Sequence, residues 1–153
     1  MLLSVSTDTK RKNLVIIEKA MHILTDKYIL VRVWTSVGNS ITFQNISNEK
    51  INMIYNACYV LLIPTIEVEL GLPIVEGFAT NIPAVAFDIE VFHEIGEDAV
   101  EYINPIDVLS LIDGIKAALN NKYELTCKGG KIAAKFSFNV FKEKLLVYCG
   151  RLP

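Results

Sequence analysis

Short apolar runs alternate along the chain with longer segments in which apolar residues recur every three or four positions. The apolar runs lie at residues 2–6, 28–34, 41–44, 59–65, 84–88 and 99–103, and segments of helical period lie at 13–24, 47–58, 71–80 and 104–120. This alternation is typical of parallel strands joined by crossover helices. It predicts one domain over residues 1–153, an α/β Rossmann-like three-layer sandwich with a mostly parallel twisted sheet and helices on both faces.

Capping and breaking residues predict where the later helices begin and end. Asn104 is a predicted N-cap with Pro105 at the first helical position, where the missing proline donor costs nothing. Residues 123–149 predict one or two closing helices with a break near Gly129 and Gly130. The run VFHEIG at residues 91–96 predicts a short helical turn.

Composition narrows the class of protein. Hydrophobic residues make up 52% of the chain, yet no apolar run approaches the ~18 residues that span a bilayer, so a soluble protein without a membrane partner is favoured. The net charge of −2 and the lack of a basic block beyond TKRKN argue against nucleic acid. The three cysteines lack the spacing of a zinc site, and the apolar start is too short for a signal peptide, which favours the cytoplasm.

Ligands of such sheets bind outside the carboxyl ends of the strands, where the strand order reverses. We expect at this edge the loops at residues 6–12, 34–40, 65–71 and 87–91. Gly71 opens a helix there, and the N–H groups of a first helical turn suit a diphosphate, although a single glycine often marks only a turn. Glu76 could accept hydrogen bonds from ribose hydroxyls or simply be solvated. Lys12 could reach the same crevice or be an ordinary surface charge.

The order of the motifs resembles a known enzyme family. RKNL at 11–14, ISNEKINMIYNAC at 46–58, LLIPT at 61–65, GLPIVEGFAT at 71–80, IPAVA at 82–86 and EVFHEIGEDAVEYINPID at 90–107 follow one another. From Leu2 to Tyr148 the chain is similar to the C-terminal, nucleotide-sugar-binding domain of family 4 (group 1) glycosyltransferases, which is one half of a GT-B fold. The resemblance implies a retaining, metal-independent class that moves a sugar from a nucleoside diphosphate donor to an acceptor held by a separate N-terminal domain.

The resemblance implies a nucleotide-sugar site at four residues. Lys12 would contact the donor phosphates, and Gly71 and Leu72 would face the diphosphate from the start of their helix. Glu76 is the second carboxylate of the family's Glu-x7-Glu motif and would hold the ribose. The first carboxylate of that motif belongs at residue 68, where this chain has a valine.

The donor motif itself departs from the family pattern. Its usual Glu-Gly-Phe-Gly reads Val68, Glu69, Leu70 and Gly71 here. An isopropyl group replaces a carboxylate expected to face the donor sugar, and Glu69 puts a negative charge where a diphosphate would approach. Shifting the motif to Glu67 or Glu69 restores a carboxylate but breaks the spacing to residue 76.

Further departures lie at the ends of predicted strands. The family usually has glycine at the positions of Trp34 and Asn81 and a small residue at that of Phe87. Trp34, Val68, Leu70 and Phe87 would therefore make the rim apolar, and exposed apolar patches mark interaction sites. Local packing of each residue by itself is the simpler alternative.

We consider three hypotheses for the function, and the altered donor motif with its apolar rim favours the first. The first is a non-catalytic binding module without a resident cofactor or metal, natural or engineered, that holds a protein partner through a rim of Trp34, Val68, Glu69, Leu70 and Phe87. The second is the nucleotide-sugar-binding half of a retaining glycosyltransferase that needs a separate acceptor domain. The third is a homodimer in which two rims meet on a twofold axis. We expect no turnover from this chain alone, and we assign no function to His22, Tyr59 or His93.

Overall fold

The computed structural model describes residues 1–6, 13–24, 27–66 and 71–150. Its six-stranded sheet consists of β1 Leu2–Ser6, β2 Leu30–Trp34, β3 Ile41–Phe43, β4 Val60–Ile63, β5 Ala84–Phe87 and β6 Val100–Ile103. The strand order is β3-β2-β1-β4-β5-β6, and each neighbouring pair is parallel. The order reverses between β1 and β4, which confirms the Rossmann-like fold class and places its switch point.

Helices cover both faces of this sheet. They are α1 Leu14–Ile23, α2 Asn48–Ala57, α3 Leu72–Ala79, α4 Glu90–Gly96, α5 Val108–Asn120, α6 Lys122–Lys135 and α7 Phe138–Cys149. Successive strand residues point to opposite faces, so the core divides into two layers. Leu3 and Leu61 pack with residues of α2, α3, α4 and α6, whereas Leu2 and Leu62 pack mainly with residues of α1 and α5.

One predicted helix start is wrong. Asn104 does not cap a helix; its side-chain oxygen accepts a hydrogen bond from the N–H of Ile106 at 3.1 Å and closes a turn that contains Pro105. Asp107 is the N-cap instead, because its side chain accepts from the N–H of Leu109 at 2.9 Å, and α5 begins at Val108. The observed N-cap thus lies three residues after the predicted one.

The predicted break at Gly129 and Gly130 is also wrong. The helix α6 runs through both glycines, and the chain turns only at Phe136 and Ser137. A Cβ atom at Gly129 would lie 2.4 Å from Cδ1 of Phe78. The glycine is therefore explained by the close approach of α6 to α3 rather than by a helix end.

The last helix differs from the others in its packing. None of the residues of α7 is buried. Throughout the described ranges, every helix is too short or too polar to cross a membrane.

Candidate functional site

A cleft of about 650 Å³ opens at the carboxyl edge of the sheet, beside the switch point. Its walls come from the ends of β1 and β2 and from the facing sides of α2 and α3. Its polar and aromatic lining includes Ser6, Trp34, Asn48, Asn52, Tyr55 and Glu76. The cleft therefore lies where ligands of this architecture bind.

Glu76 presents an oriented carboxylate to this cleft. It lies on α3 and is exposed, while Tyr55 on α2 is only 2% exposed. The hydroxyl of Tyr55 donates a hydrogen bond to Oε2 of Glu76 at 2.6 Å. Burial, and then the nearby carboxylate, raise the pKa of Tyr55 above its usual value, so its hydroxyl stays a donor at neutral pH. One carboxylate oxygen of Glu76 is thus held by Tyr55 while the side chain stays exposed in the cleft.

Gly71 begins α3 in a conformation that suits glycine. Its φ is +57°, in the left-handed region, and its carbonyl accepts from the N–H of Ile74 at 2.9 Å. Leu72, the first residue of α3, is half-exposed, and Pro73 has no N–H to offer. Two of the first three helical residues, Pro73 and Ile74, therefore have no free donor, and an anion here would depend on fewer N–H groups than at an ordinary helix start.

Trp34 forms part of the wall opposite Glu76. It ends β2 with φ at +88°, and its side chain is 38% exposed. A bulky residue in this region of backbone space is strained by about 1–3 kcal/mol. Asn81, the other position where glycine was expected, also has positive φ, +56°, which asparagine tolerates better. Both departures thus occupy positions whose backbone favours glycine.

Phe87 was predicted to lie exposed on an apolar rim, and the structure shows it buried. Its side chain is 0% exposed and packs in the core layer with Leu62, Leu111 and Ile112. Because β5 stays extended to its last residue, Phe87 points to the same covered face as Val85. It offers no surface to a partner in this structure.

Lys12, Val68, Glu69 and Leu70 lie outside the described residues. Their proposed contacts with a donor or with a protein partner stay predictions. Among the rim residues that the structure describes, Trp34 is the exposed one and Phe87 is not.

Sequence reasoning missed several residues of the site. Tyr55 was expected only as part of a helix, and its contact with Glu76 joins residues 21 apart, which no local pattern reveals. Asn48 and Asn52 are four residues apart on α2, so they share one helix face, and they line the cleft. Arg32 donates a hydrogen bond to Ser6 of the cleft wall, and the sequence offered a signal for it, because it interrupts the apolar run YILVRVW.

The two histidines lie away from this cleft. His22 lines a separate cavity of about 320 Å³ beside the amino ends of β2 and β3, at the opposite edge of the sheet. His93 on α4 lies 2.6 Å from Oδ1 of Asp88 and stacks on the ring of Tyr102 with centroids 3.9 Å apart. The pair is exposed and near the end of β5. Neither histidine contributes to the lining of the cleft.

Comparison with known proteins connects this fold to glycosyltransferases. No family model matches the chain. The O-antigen chain mannosyltransferase RfbU of Salmonella typhimurium is 34% identical over 79 residues, which make up 51% of this chain and 22% of that protein. The matched segment therefore spans about a fifth of this relative.

Solved structures resemble the chain over nearly its whole length. A glycosyltransferase from Rickettsia africae superposes with a TM-score of 0.79 at 18% identity, covering 96% of this chain and 46% of its own. A sucrose-phosphate synthase from Thermosynechococcus elongatus gives 0.83 at 17%, covering 97% and 45%. An E. coli trehalose-6-phosphate protein bound with UDP-2-fluoro glucose gives 0.76 at 12%, covering 99% and 44%. These likenesses show the fold, and the chain spans less than half of each of these structures.

Proposed function

We propose that this chain is the nucleotide-sugar-binding half of a retaining glycosyltransferase and binds a nucleoside diphosphate sugar in the switch-point cleft. The observation that supports this proposal best is the exposed carboxylate of Glu76, fixed by Tyr55 inside a cleft at the switch point. A carboxylate oriented by a buried hydroxyl suits a diol ligand, because its remaining lone pairs can accept hydrogen bonds from two hydroxyls. The partial likeness to a mannosyltransferase agrees with a sugar-transfer function.

The ribose, the base and the diphosphate of the donor would each have a contact. Glu76 would accept hydrogen bonds from the two ribose hydroxyls. Trp34 would offer the face of its indole to the base, and base–aromatic stacking contributes about 1–3 kcal/mol. The start of α3 at Gly71 would face the diphosphate, and Lys12, which lies outside the described residues, stays predicted to add positive charge. The acceptor would come from another domain, so this chain alone would bind the donor and not transfer the sugar.

The structure weakens the hypothesis of a protein-binding rim. That hypothesis needs several apolar side chains exposed together, and Phe87 is fully buried. Among the described rim residues, Trp34 alone remains exposed, at 38%. One partly exposed indole inside a cleft fits a small flat ligand better than a protein surface.

Calorimetric titration of the chain with UDP, GDP, ADP and one sugar conjugate of each tests the proposal. We expect one of the nucleoside diphosphates to bind. Glu76→Gln should weaken its binding about tenfold to a hundredfold, because hydrogen bonds to a charged group contribute about 1.5–3 kcal/mol. The exposed Glu94→Gln on α4 is the matched control and should leave the affinity unchanged.

A revertant with Val68→Glu, Glu69→Gly and Leu70→Phe separates the hypotheses. If the revertant binds a donor and the natural chain does not, the donor site has been lost and the protein-binding hypothesis gains. If neither binds any of the nucleotides, the proposal is wrong for this cleft. Binding by the natural chain with no loss in Glu76→Gln would place the nucleotide elsewhere.

A further inference from the structure

We infer that Arg32 is a positioning residue for the cleft, because its guanidinium fastens the end of β1 to the residue after β2 and holds Trp34 against the cleft. The consequence for nucleotide binding rests on the proposed function. The consequence for Trp34 does not, and it can be measured without any ligand.

Arg32 lies in the middle of β2 and is 0% exposed. Its Nη1 donates to the hydroxyl oxygens of Ser4 at 2.6 Å and Ser6 at 3.1 Å, and its Nη2 donates to the backbone carbonyl of Ser6 at 3.1 Å. Its Nε donates to the carbonyl of Thr35 at 2.9 Å. One planar group therefore joins the second half of β1 to the residue that follows β2.

An arginine is an unusual choice for this position. Leu30 precedes it by two residues on the same strand and packs in the apolar core layer between the sheet and α1. A buried cation is costly to desolvate, so it persists only where hydrogen bonds compensate. Three of these four bonds go to Ser6 and Thr35, which are the last residue of β1 and the first residue after β2, and the fourth goes to Ser4 inside β1. The donors are thus directed at the edge of the sheet that carries the cleft.

Trp34 stands between the two ends of the Nε bond. Arg32 donates to the carbonyl of Thr35, and Val33 and Trp34 are the two residues between them. The bond therefore closes a short loop around a residue whose φ of +88° is unfavourable for a tryptophan. A strained residue keeps its conformation only when neighbouring interactions determine it. The tether from Arg32 supplies such an interaction and keeps the indole in the cleft.

The single tryptophan of the chain gives a direct test. Arg32→Lys keeps the positive charge but loses the planar fork that reaches three partners at once, and Arg32→Gln also loses the charge. In both variants we expect the fluorescence emission of Trp34 to shift and its quenching by acrylamide to change. We expect the affinity for the nucleotide that binds the natural chain to fall about tenfold, since small displacements of a positioned group have large effects.

Leu62→Ala is the matched control, because it removes a buried side chain from the same core layer without touching either loop. Its far-UV circular dichroism should match that of the Arg32 variants, and its Trp34 emission should equal that of the natural chain. Folded Arg32 variants with unchanged emission and quenching overturn the inference. So does an equal shift in Leu62→Ala, which would make it a general effect of destabilisation.

This design distinguishes failure of the proposed function from failure of the inference about Arg32. If no nucleotide binds the natural chain, the proposed function fails, while the emission of Trp34 still decides whether Arg32 positions it. If neither Arg32 variant folds, the double variant Ser4→Ala with Ser6→Ala takes their place, because it removes both hydroxyl acceptors of Nη1 and lets the guanidinium shift relative to Thr35. Unchanged Trp34 emission in the folded double variant then counts against the inference.

Discussion

Trp34 and Phe87 are aromatic residues at the ends of two parallel strands, and they differ in exposure to solvent. Trp34 ends β2 and is 38% exposed in the cleft, whereas Phe87 ends β5 and is 0% exposed. The same reasoning from sequence placed both on one apolar rim. Position at a strand end therefore does not decide whether a side chain is available to a ligand.

The backbone explains the difference. Phe87 continues the strand alternation of Val85, and the N–H of the next residue, Asp88, still donates to the carbonyl of Ile103 on β6 at 2.9 Å. Trp34 follows Arg32 by two residues and would face the same side of the sheet in an extended strand. Its φ of +88° ends that alternation and leaves the indole beside α2 and α3. The carboxyl edge of the sheet thus forms a cleft next to the switch point, whereas the strand end at β5 is covered by the core.

The largest expected effect is the loss of stability in Phe87→Ala. Removing a fully buried phenylalanine costs about 3–5 kcal/mol in the free energy of unfolding, through lost burial and the cavity that remains. Phe43→Ala is the matched control, because Phe43 ends β3 and is 38% exposed, like Trp34. Urea unfolding should show at least twice the loss in Phe87→Ala. Equal losses would mean that Phe87 is not in the core.

Much of the fold could be predicted from sequence, because apolar runs and helical periods report burial directly. The apolar run at residues 59–65 predicted a strand, which the structure places at Val60–Ile63 next to β1. The site could be predicted only in part. Gly71 and Glu76 were found through local motifs, but the conformation of Trp34 and the contact of Tyr55 with Glu76 depend on packing between distant segments.

A second prediction tests the backbone at Trp34. In an ordinary strand alanine is more stabilising than glycine by about 0.5–1 kcal/mol. At a φ of +88° the order should reverse, because an L side chain in left-handed conformations costs about 1–2 kcal/mol that glycine avoids. We therefore expect Trp34→Gly to unfold at a higher urea concentration than Trp34→Ala, although both lose the indole.

The neighbouring residue provides the control for this reversal. Val33 is buried in the same strand and is not among the residues with positive φ. Val33→Ala should be more stable than Val33→Gly, the usual order. If Trp34 gives the same order as Val33, its backbone is extended, and the structural contrast with Phe87 loses its explanation.

The smallest expected effect concerns Tyr55, across the cleft from Trp34. Tyr55→Phe removes the hydrogen bond to Glu76 and should lower the free energy of unfolding by about 1 kcal/mol at pH 7, since the carboxylate partner is exposed. Trp34 should keep its emission spectrum, because its exposure depends on its own backbone and not on this hydrogen bond. A shift in emission would show that the two walls of the cleft are coupled.

The pH dependence of Tyr55→Phe sharpens this test. The pKa of Tyr55 in the folded state lies above the usual 10.0 because of burial and then of Glu76. The unfolded chain therefore loses this proton first, and the contribution of Tyr55 is complete below pH 10 and declines above it. Burial and neighbouring carboxylates raise the pKa of Tyr102 to about 12, so some decline remains in the variant. Unfolding in urea from pH 8 to 11 should show a shallower loss in Tyr55→Phe than in the natural chain. Parallel curves would mean that Tyr55 titrates normally and that Glu76 is not held by a buried hydroxyl.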